Sequence, residues 1–202
     1  MSNEDRTKWD AKYAAGAYES KQYPAAYLAK KLPNIIDTLS TENAPRPWRA
    51  LDLACGAGRN AYFLAAHDFA VDAVDISTVG LTRAQQLAPV TASTVNWLPQ
   101  DLEHASSENF GQYRLIIMMR YVNLALLRAM VNNLEPGGFI LCEEHMLSEA
   151  DVVGPKNPSF RVAPGELKEI LTGLTTIHYS EAIIVDPNGD RSAVAQIIAR
   201  KA

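Results

Sequence analysis

From residue 50 to residue 142, short apolar runs alternate with amphipathic stretches. Ala50–Cys55 (ALDLAC) reads as a buried strand, and GAGRN then turns into a helix over Asn60–His67. Val71–Ile76 (VDAVDI) predicts a second strand, followed by a helix over Val79–Leu87 that stops at Pro89. Thr94–Leu98 gives a weaker third strand. Arg114–Met119 (RLIIMM) is a fourth, apolar on both faces. A helix from Asn123 carries Leu124, Leu127, Val131 and Leu134 on one side, Glu135-Pro136-Gly137-Gly138 ends it, and Phe139–Cys142 begins a fifth strand. Strands alternating with helices imply a parallel sheet covered on both faces and wound right-handed.

The flanks depart from this alternation. A helical segment from Pro24 has apolar residues at Leu28, Leu32, Ile35, Ile36 and Leu39, and Pro33 predicts a kink or the start of a second short helix. The stretch STENAPRPW reads as a loop. Near the other end, Pro164 suits the first turn of a short helix through Leu171, with Gly173 at its end. Thr175–Val185 and Ser192–Lys201 are β-rich runs joined by Asp186-Pro187-Asn188-Gly189-Asp190, which predicts an antiparallel hairpin. The fold class expected is α/β: a doubly wound, mostly parallel seven-stranded sheet with an antiparallel C-terminal hairpin. Residues 1–23 are polar yet hold Trp9, Tyr13, Tyr18 and Tyr23, as a helix packed on the sheet or as a lid.

Composition narrows the class. A chain of 202 residues fits one compact domain and can bury a core without disulfide or metal staples. Nineteen Lys+Arg against 23 Asp+Glu leave a net charge of −4 with no block of one sign, which argues against a dedicated nucleic-acid binder. Two cysteines, Cys55 and Cys142, make no disulfide framework and fit a reducing compartment. The polar start MSNEDRTKWD and the lack of an apolar run near ~20 residues give the expectation of a cytosolic protein with no signal peptide and no membrane partner.

The most informative stretch is Leu51-Asp52-Leu53-Ala54-Cys55-Gly56-Ala57-Gly58-Arg59-Asn60. Two glycines fall where a strand ends and a helix begins, letting the backbone turn tightly and a ligand approach main-chain amides. Alone, this is equally a plain strand-to-helix turn. Asp75, 17 residues after Gly58, ends the second strand, where a carboxylate can take both hydroxyls of a ribose. Asp101 follows the third strand and could accept from an exocyclic amine, with Leu102 against an adenine ring. Together the three stations describe a pocket for an adenosine-containing ligand. Gly56-Ala57-Gly58-x-x-Ala61 also satisfies a relaxed dinucleotide pattern, which keeps an NAD-dependent reductase open. Against it, Asp52 would sit where a pyrophosphate must lie, and its charge suits an ammonium or sulfonium better.

Taken in order, LDLACGAGRN, the acid in VDAVDIS, the QDLE segment, YRLIIMMRYVN, LEPGGFIL and the terminal hairpin resemble the class I S-adenosylmethionine-dependent methyltransferases, over residues 48–202. WDAKYAAGAYE and NPSFRVAPGELKEIL are more narrowly similar to the tellurite-resistance and thiopurine methyltransferase-like branch. The resemblance implies a Rossmann-like methyltransferase fold, with residues 1–47 a helical or lid segment and 48–202 the S-adenosylmethionine-binding domain. It also implies that Gly56 and Gly58 line the methionine moiety, that Asp75 binds ribose, and that Asp101 and Leu102 flank adenine. Asp52, Ala54, Asn60, Ile76 and Met119 complete the implied cofactor set.

Methyl transfer from a sulfonium is an in-line displacement in which the cofactor supplies reactivity and the protein supplies alignment, so a base is optional. Arg120 and Tyr121 follow the fourth strand, Glu143-Glu144-His145 end the fifth, and Arg161 lies before a helix. His145 is the best base by chemistry, or else a hydrogen-bonded structural histidine. Consecutive strand residues point to alternate faces, so Glu143, Glu144 and His145 do not suggest a metal site. Cys55, Cys142, Met118 and Met119 read as core residues, and Tyr13 as a cofactor or substrate contact. Arg120 and Arg161 near the methyl-delivery edge suit a small anionic or soft acceptor, such as a thiolate or chalcogen oxyanion, or are solvated charges. Met119-Arg120-Tyr121-Val122 occupies the place of an NPPY-like run, which disfavours nucleic-acid methylation. A non-catalytic S-adenosylmethionine-binding module is the other alternative.

Overall fold

The computed structural model describes residues 3–19, 22–87, 95–186 and 189–202. The helices are α1 (Asn3–Ala14), α2 (Ala26–Thr41), α3 (Arg59–Ala65), α4 (Thr78–Leu87), α5 (Leu124–Ala129) and α6 (Glu166–Ile170). The strands are β1 (Trp48–Leu53), β2 (Phe69–Asp75), β3 (Val95–Pro99), β4 (Tyr113–Met119), β5 (Leu134–His145), β6 (Thr175–Val185) and β7 (Arg191–Arg200). They form one sheet in the order β3-β2-β1-β4-β5-β7-β6. The pairs from β3 to β5 are parallel, and β7 runs antiparallel to both β5 and β6. This is the expected doubly wound sheet with an antiparallel C-terminal hairpin.

Side-chain alternation on the central strands divides the core. Ala50, Leu115 and Ile117 join Leu28, Leu32, Ile35 and Leu39 of α2 and Ala61 and Leu64 of α3 on one face. Leu51, Leu53, Ile116 and Met118 join Leu126 and Leu127 of α5 and Leu167 of α6 on the other. A period of two in the strands thus meets a period near 3.6 in the helices.

Three local expectations are corrected. Pro33 neither ends α2 nor starts a second helix; it lies inside one 16-residue helix. Burial of the four α2 leucine and isoleucine side chains offsets the missing N–H. The helix after Asn123 is shorter than its apolar spacing suggests: α5 tightens into a 3-10 turn over Met130–Asn133, and Leu134 already belongs to β5. Glu135-Pro136-Gly137-Gly138 lies inside that strand, where the pairing shifts from Tyr113↔Leu134 to Leu115↔Phe139. Gly137 N–H donates to the Lys201 carbonyl, and Lys201 N–H donates to that of Gly138. The short helix begins at Glu166 rather than Pro164, after Gly165 at φ 83°. Pro89, Thr94, Pro187 and Asn188 lie outside the described residues. No helix among the described residues is long and apolar enough to cross a membrane.

Strand order reverses between β1 and β4, which run parallel side by side with their connections leaving in opposite directions. In open α/β sheets the crevice for a ligand opens there, beyond the carboxyl ends of the strands.

Candidate functional site

Just beyond β1, Ala54, Gly56 and Gly58 all take left-handed conformations, with φ of 58°, 58° and 82°. A Cβ on Gly56 would lie 2.5 Å from the Tyr13 hydroxyl oxygen, and one on Gly58 would lie 2.5 Å from the Trp97 ring. Both glycines are therefore required by conformation and by close approach. Asp75, at the end of β2, closes the loop: its Oδ2 accepts from Gly56 N–H and its Oδ1 from Ser77 N–H, each at 2.8 Å. Burial raises the Asp75 carboxyl above its ordinary range, and these amide bonds oppose the rise.

Asp52 sits deeper, on β1, with 1% of its surface exposed. Burial first, and the Asp75 charge second, push its carboxyl up to about 8, while Arg59 pulls the other way. Its Oδ2 has no hydrogen-bond partner among the described residues. Asn60 accepts from Ala25 N–H at 2.9 Å and so fastens the entry to α2. Asp101 turns the chain after β3 by accepting from Glu103 N–H, and Leu102 beside it is buried.

A cavity of about 1050 Å³ runs along this carboxyl edge. Of the cofactor residues expected from sequence, Ala54, Gly56, Asn60, Asp75, Ile76, Asp101, Leu102 and Met119 line it, whereas Asp52 and Gly58 support the loop from behind. Tyr13, Arg120 and His145 line it too.

The far end is built from β4, β5 and the hairpin. Arg120 Nε donates to Glu143 Oε1 at 2.7 Å, and Nη2 to Asp186 Oδ1 at 3.3 Å. Nη1 lies 3.3 Å from the His145 ring nitrogens. A guanidinium only donates, so the imidazole nitrogen that takes this bond is the unprotonated one. Glu143 and His145 face the cavity. Glu144 points to the opposite face, fully buried against the Cys142 thiol, and burial drives its carboxyl well up.

Arg161 is placed elsewhere. Its guanidinium donates to the carbonyls of Pro155, Met146 and Val153, and the cavity is not lined by it. It shapes the 153–157 loop from outside. The expectation that Arg161 meets an acceptor therefore loses its geometric basis.

Tyr13 is 8% exposed and wedged between Gly56 and Gly80, and burial raises its phenol far above the usual range. Its helix is fastened to α4 through Asp10, whose Oδ1 accepts from Ser77 Oγ at 2.6 Å and from Val79 N–H at 3.1 Å.

Arg59 escaped the sequence reading as a site residue although it stands in the glycine motif itself. As the first residue of α3 it lines the cavity, and its guanidinium bonds the Tyr23 carbonyl at 3.4 Å. No carboxylate lies within ion-pair distance of it among the described residues. Asp186 and Gln196 carried no sequence signal, because only the hairpin brings them to Arg120 and Glu143.

A family model described as "Tellurite resistance protein TehB" matches residues 19–194. A curated relative, "Probable S-adenosyl-L-methionine-dependent methyltransferase TehB" of Haemophilus influenzae (strain 10810), is 24% identical over 176 residues, covering 82% of this chain and 61% of the relative. The chain thus spans less than two thirds of that relative's length. The crystal structure of TehB from Haemophilus influenzae matches with a TM-score of 0.64 at 23% identity, over 82% of this chain and 62% of that one. Magnesium protoporphyrin IX methyltransferase (ChlM) from Synechocystis PCC 6803, with bound SAH, matches at 0.62 and 14% identity, over 86% of this chain and 82% of that one. Identities this low show a shared fold, the Rossmann-like fold of these methyltransferases.

Proposed function

The chain belongs to the tellurite resistance protein TehB family, and on that premise we propose that it is an S-adenosylmethionine-dependent methyltransferase acting on a small-molecule acceptor. The observation that carries the reading is Asp75, which binds the amide of the glycine loop at 2.8 Å on the wall of a cavity of about 1050 Å³, room enough for cofactor and a small acceptor together. The residues along this edge fit the group. Asp75 retains lone pairs for ribose hydroxyls, and Asp101 and Leu102 offer an acceptor and an apolar surface to adenine. Arg59, a cation without a carboxylate partner among the described residues, suits the methionine carboxylate. Asp52, buried beneath the loop with an orphaned oxygen, is protonated, and an approaching cation such as a sulfonium or ammonium favours its ionisation whereas a pyrophosphate does not, which counts against NAD.

When bound, S-adenosylmethionine supplies a methyl group already activated on sulfur. The chain's residues then have three tasks: to hold the two reactants in line, to exclude water, and to leave the nucleophile unhindered. Tyr13 and α1 cover the glycine loop and serve the second task. A soft acceptor, a thiol or a chalcogen nucleophile, fits because it needs little help from a base. His145 spends a ring lone pair on Arg120 and so does not stand ready as one.

Calorimetry with S-adenosylhomocysteine, beside turnover assays over thiols, chalcogen oxyanions, amines and phenols, tests the reading. Binding with turnover supports it. Binding without turnover of any acceptor favours a non-catalytic binding module, and tight NADH binding without response to S-adenosylhomocysteine refutes it.

A further inference from the structure

Resting on the reading above, we propose that Arg120 docks the acceptor through a carboxylate or oxyanion on that acceptor, and that Gln196 is a positioning residue that aims Arg120. The argument starts at the backbone. Arg120 holds φ 61°, a conformation that strains a non-glycine residue and persists only where the surroundings fix it. Its N–H is fixed to the Glu143 carbonyl at 2.7 Å. The turn sends its side chain into the cavity between β5 and the β6–β7 hairpin.

The guanidinium is gripped on three nitrogens, by Glu143, His145 and Asp186. Five N–H donors less these three leave one on each terminal nitrogen, among the described residues. Such a pair suits two oxygens of one planar anion. Behind the guanidinium, each carboxylate is itself held. Glu143 Oε2 accepts from Gln196 Nε2 at 2.6 Å, Gln196 Oε1 accepts from Ser180 Oγ at 3.0 Å, and Asp186 Oδ2 accepts from Ser192 Oγ at 2.8 Å. The orientation of the Gln196 amide follows from chemistry, because a carboxylate can only accept. Register explains the chain of contacts: Glu143 pairs with Gln196, and Gln196 with Ser180, across β5, β7 and β6. The relay starts on the hairpin and, through Asp186 and Ser192, returns to it.

Two carboxylates around one guanidinium also lash β4 to the hairpin, and they offset its charge. Arg59 lines the same cavity but is given to the methionine carboxylate, so no net positive field at this end draws an anion in. Selection then rests on the geometry of the donor fork, not on a strong field, so a modest preference is expected.

The test uses the full chain saturated with S-adenosylhomocysteine and two probes that share a thiol, 3-mercaptopropionate and 3-mercaptopropan-1-ol. Calorimetry should show the carboxylate binding ~10-fold more tightly, as for one well-placed charge-assisted pair. Arg120→Lys, which keeps the charge and loses the fork, and Arg120→Met should each abolish the preference with S-adenosylhomocysteine affinity within ~2-fold. Gln196→Leu should lose part of it, ~3-fold, and add nothing in the Arg120→Met background, which separates positioning from a structural role. Equal binding of the probes, no carboxylate binding up to ~10 mM, or additive losses in the double variant would overturn the proposal. Failure of S-adenosylhomocysteine itself to bind would instead remove the cofactor reading, and this proposal with it.

Discussion

Substituting Gly56 by alanine should destabilise the protein by far more when Tyr13 is present than when it is phenylalanine. Two costs are involved. Alanine at φ 58° costs ~1–2 kcal/mol in any background. The new methyl group would also lie 2.5 Å from the Tyr13 hydroxyl oxygen. The tyrosine ring packs edge-on against Gly80, so closely that a Cβ there would lie 3.0 Å from it, which leaves the ring little room on that side. Relief requires α1 to lift, which breaks the two bonds that Asp10 accepts from Ser77 and Val79. Losing such charge-assisted bonds costs ~1.5–3 kcal/mol. Gly56→Ala should therefore cost ~2.5–5 kcal/mol in the natural background. With Tyr13→Phe the nearest contact becomes an ordinary 3.5 Å to Cζ, and only the backbone cost of ~1–2 kcal/mol should remain. Urea unfolding of the four proteins in the cycle measures the difference, provided the m values agree. Amide exchange across α1 should quicken in Gly56→Ala alone. Equal costs in the two backgrounds would show that the hydroxyl does not sit over the loop.

Other outcomes follow from the same site. Asp75→Ala should weaken S-adenosylhomocysteine binding by ~1–3 kcal/mol in calorimetry and lower Tm as well, since the amides of Gly56 and Ser77 lose their acceptor. Asp52 keeps a proton in the native protein that the unfolded chain gives up. Its contribution to stability is whole below pH ~4 and is lost as pH rises through about 8, so Asp52→Asn should flatten the pH dependence of the urea midpoint across that window. Removing residues 1–23 should abolish turnover while the sheet still melts cooperatively; normal turnover would refute a lid. Arg161→Ala should loosen the 153–157 loop, seen as faster amide exchange there, by freeing three carbonyls.

The strands and the glycine turn were legible because each is decided locally. Leu51, Leu53, Ile116 and Ile117 announce a buried strand whatever lies elsewhere, and two glycines after ALDLAC announce a turn. The misreadings share a different cause, a partner remote in sequence. Pro33 stays helical because α2 buries its apolar stripe on the sheet. Glu135–Gly138 becomes strand because Lys201, over 60 residues later, supplies the main-chain bonds. Arg161 turns away from the cavity because the carbonyls of a loop six to eight residues earlier, with that of Met146, take its donors. The adenosine stations Asp75 and Asp101 could be placed from sequence, since each ends or follows a recognisable strand. At the opposite end Arg120, Glu143 and His145 could be placed at strand ends in the same way, but Asp186 and Gln196 could not, since only the hairpin brings them there.

That division has a structural origin at the switch point. Ala54 and Arg120, immediately after β1 and β4, are both non-glycine residues at positive φ. Each strained turn is held by a bond from neighbouring backbone: Cys55 N–H to the Val74 carbonyl at 2.9 Å, and Arg120 N–H to the Glu143 carbonyl at 2.7 Å. Up to Leu53 and Met119 the side chains follow the pleat, and a period-two reading assigns their faces correctly. One residue later the backbone has left the pleat, and side chains that alternation would send to one core or the other turn into the cavity instead. The strain therefore falls where a ligand has to be met, and the rest of the sheet, packed on both faces, is what holds it. A sequence pattern can locate this edge, but the direction of the side chains beyond it is set by neighbouring strands.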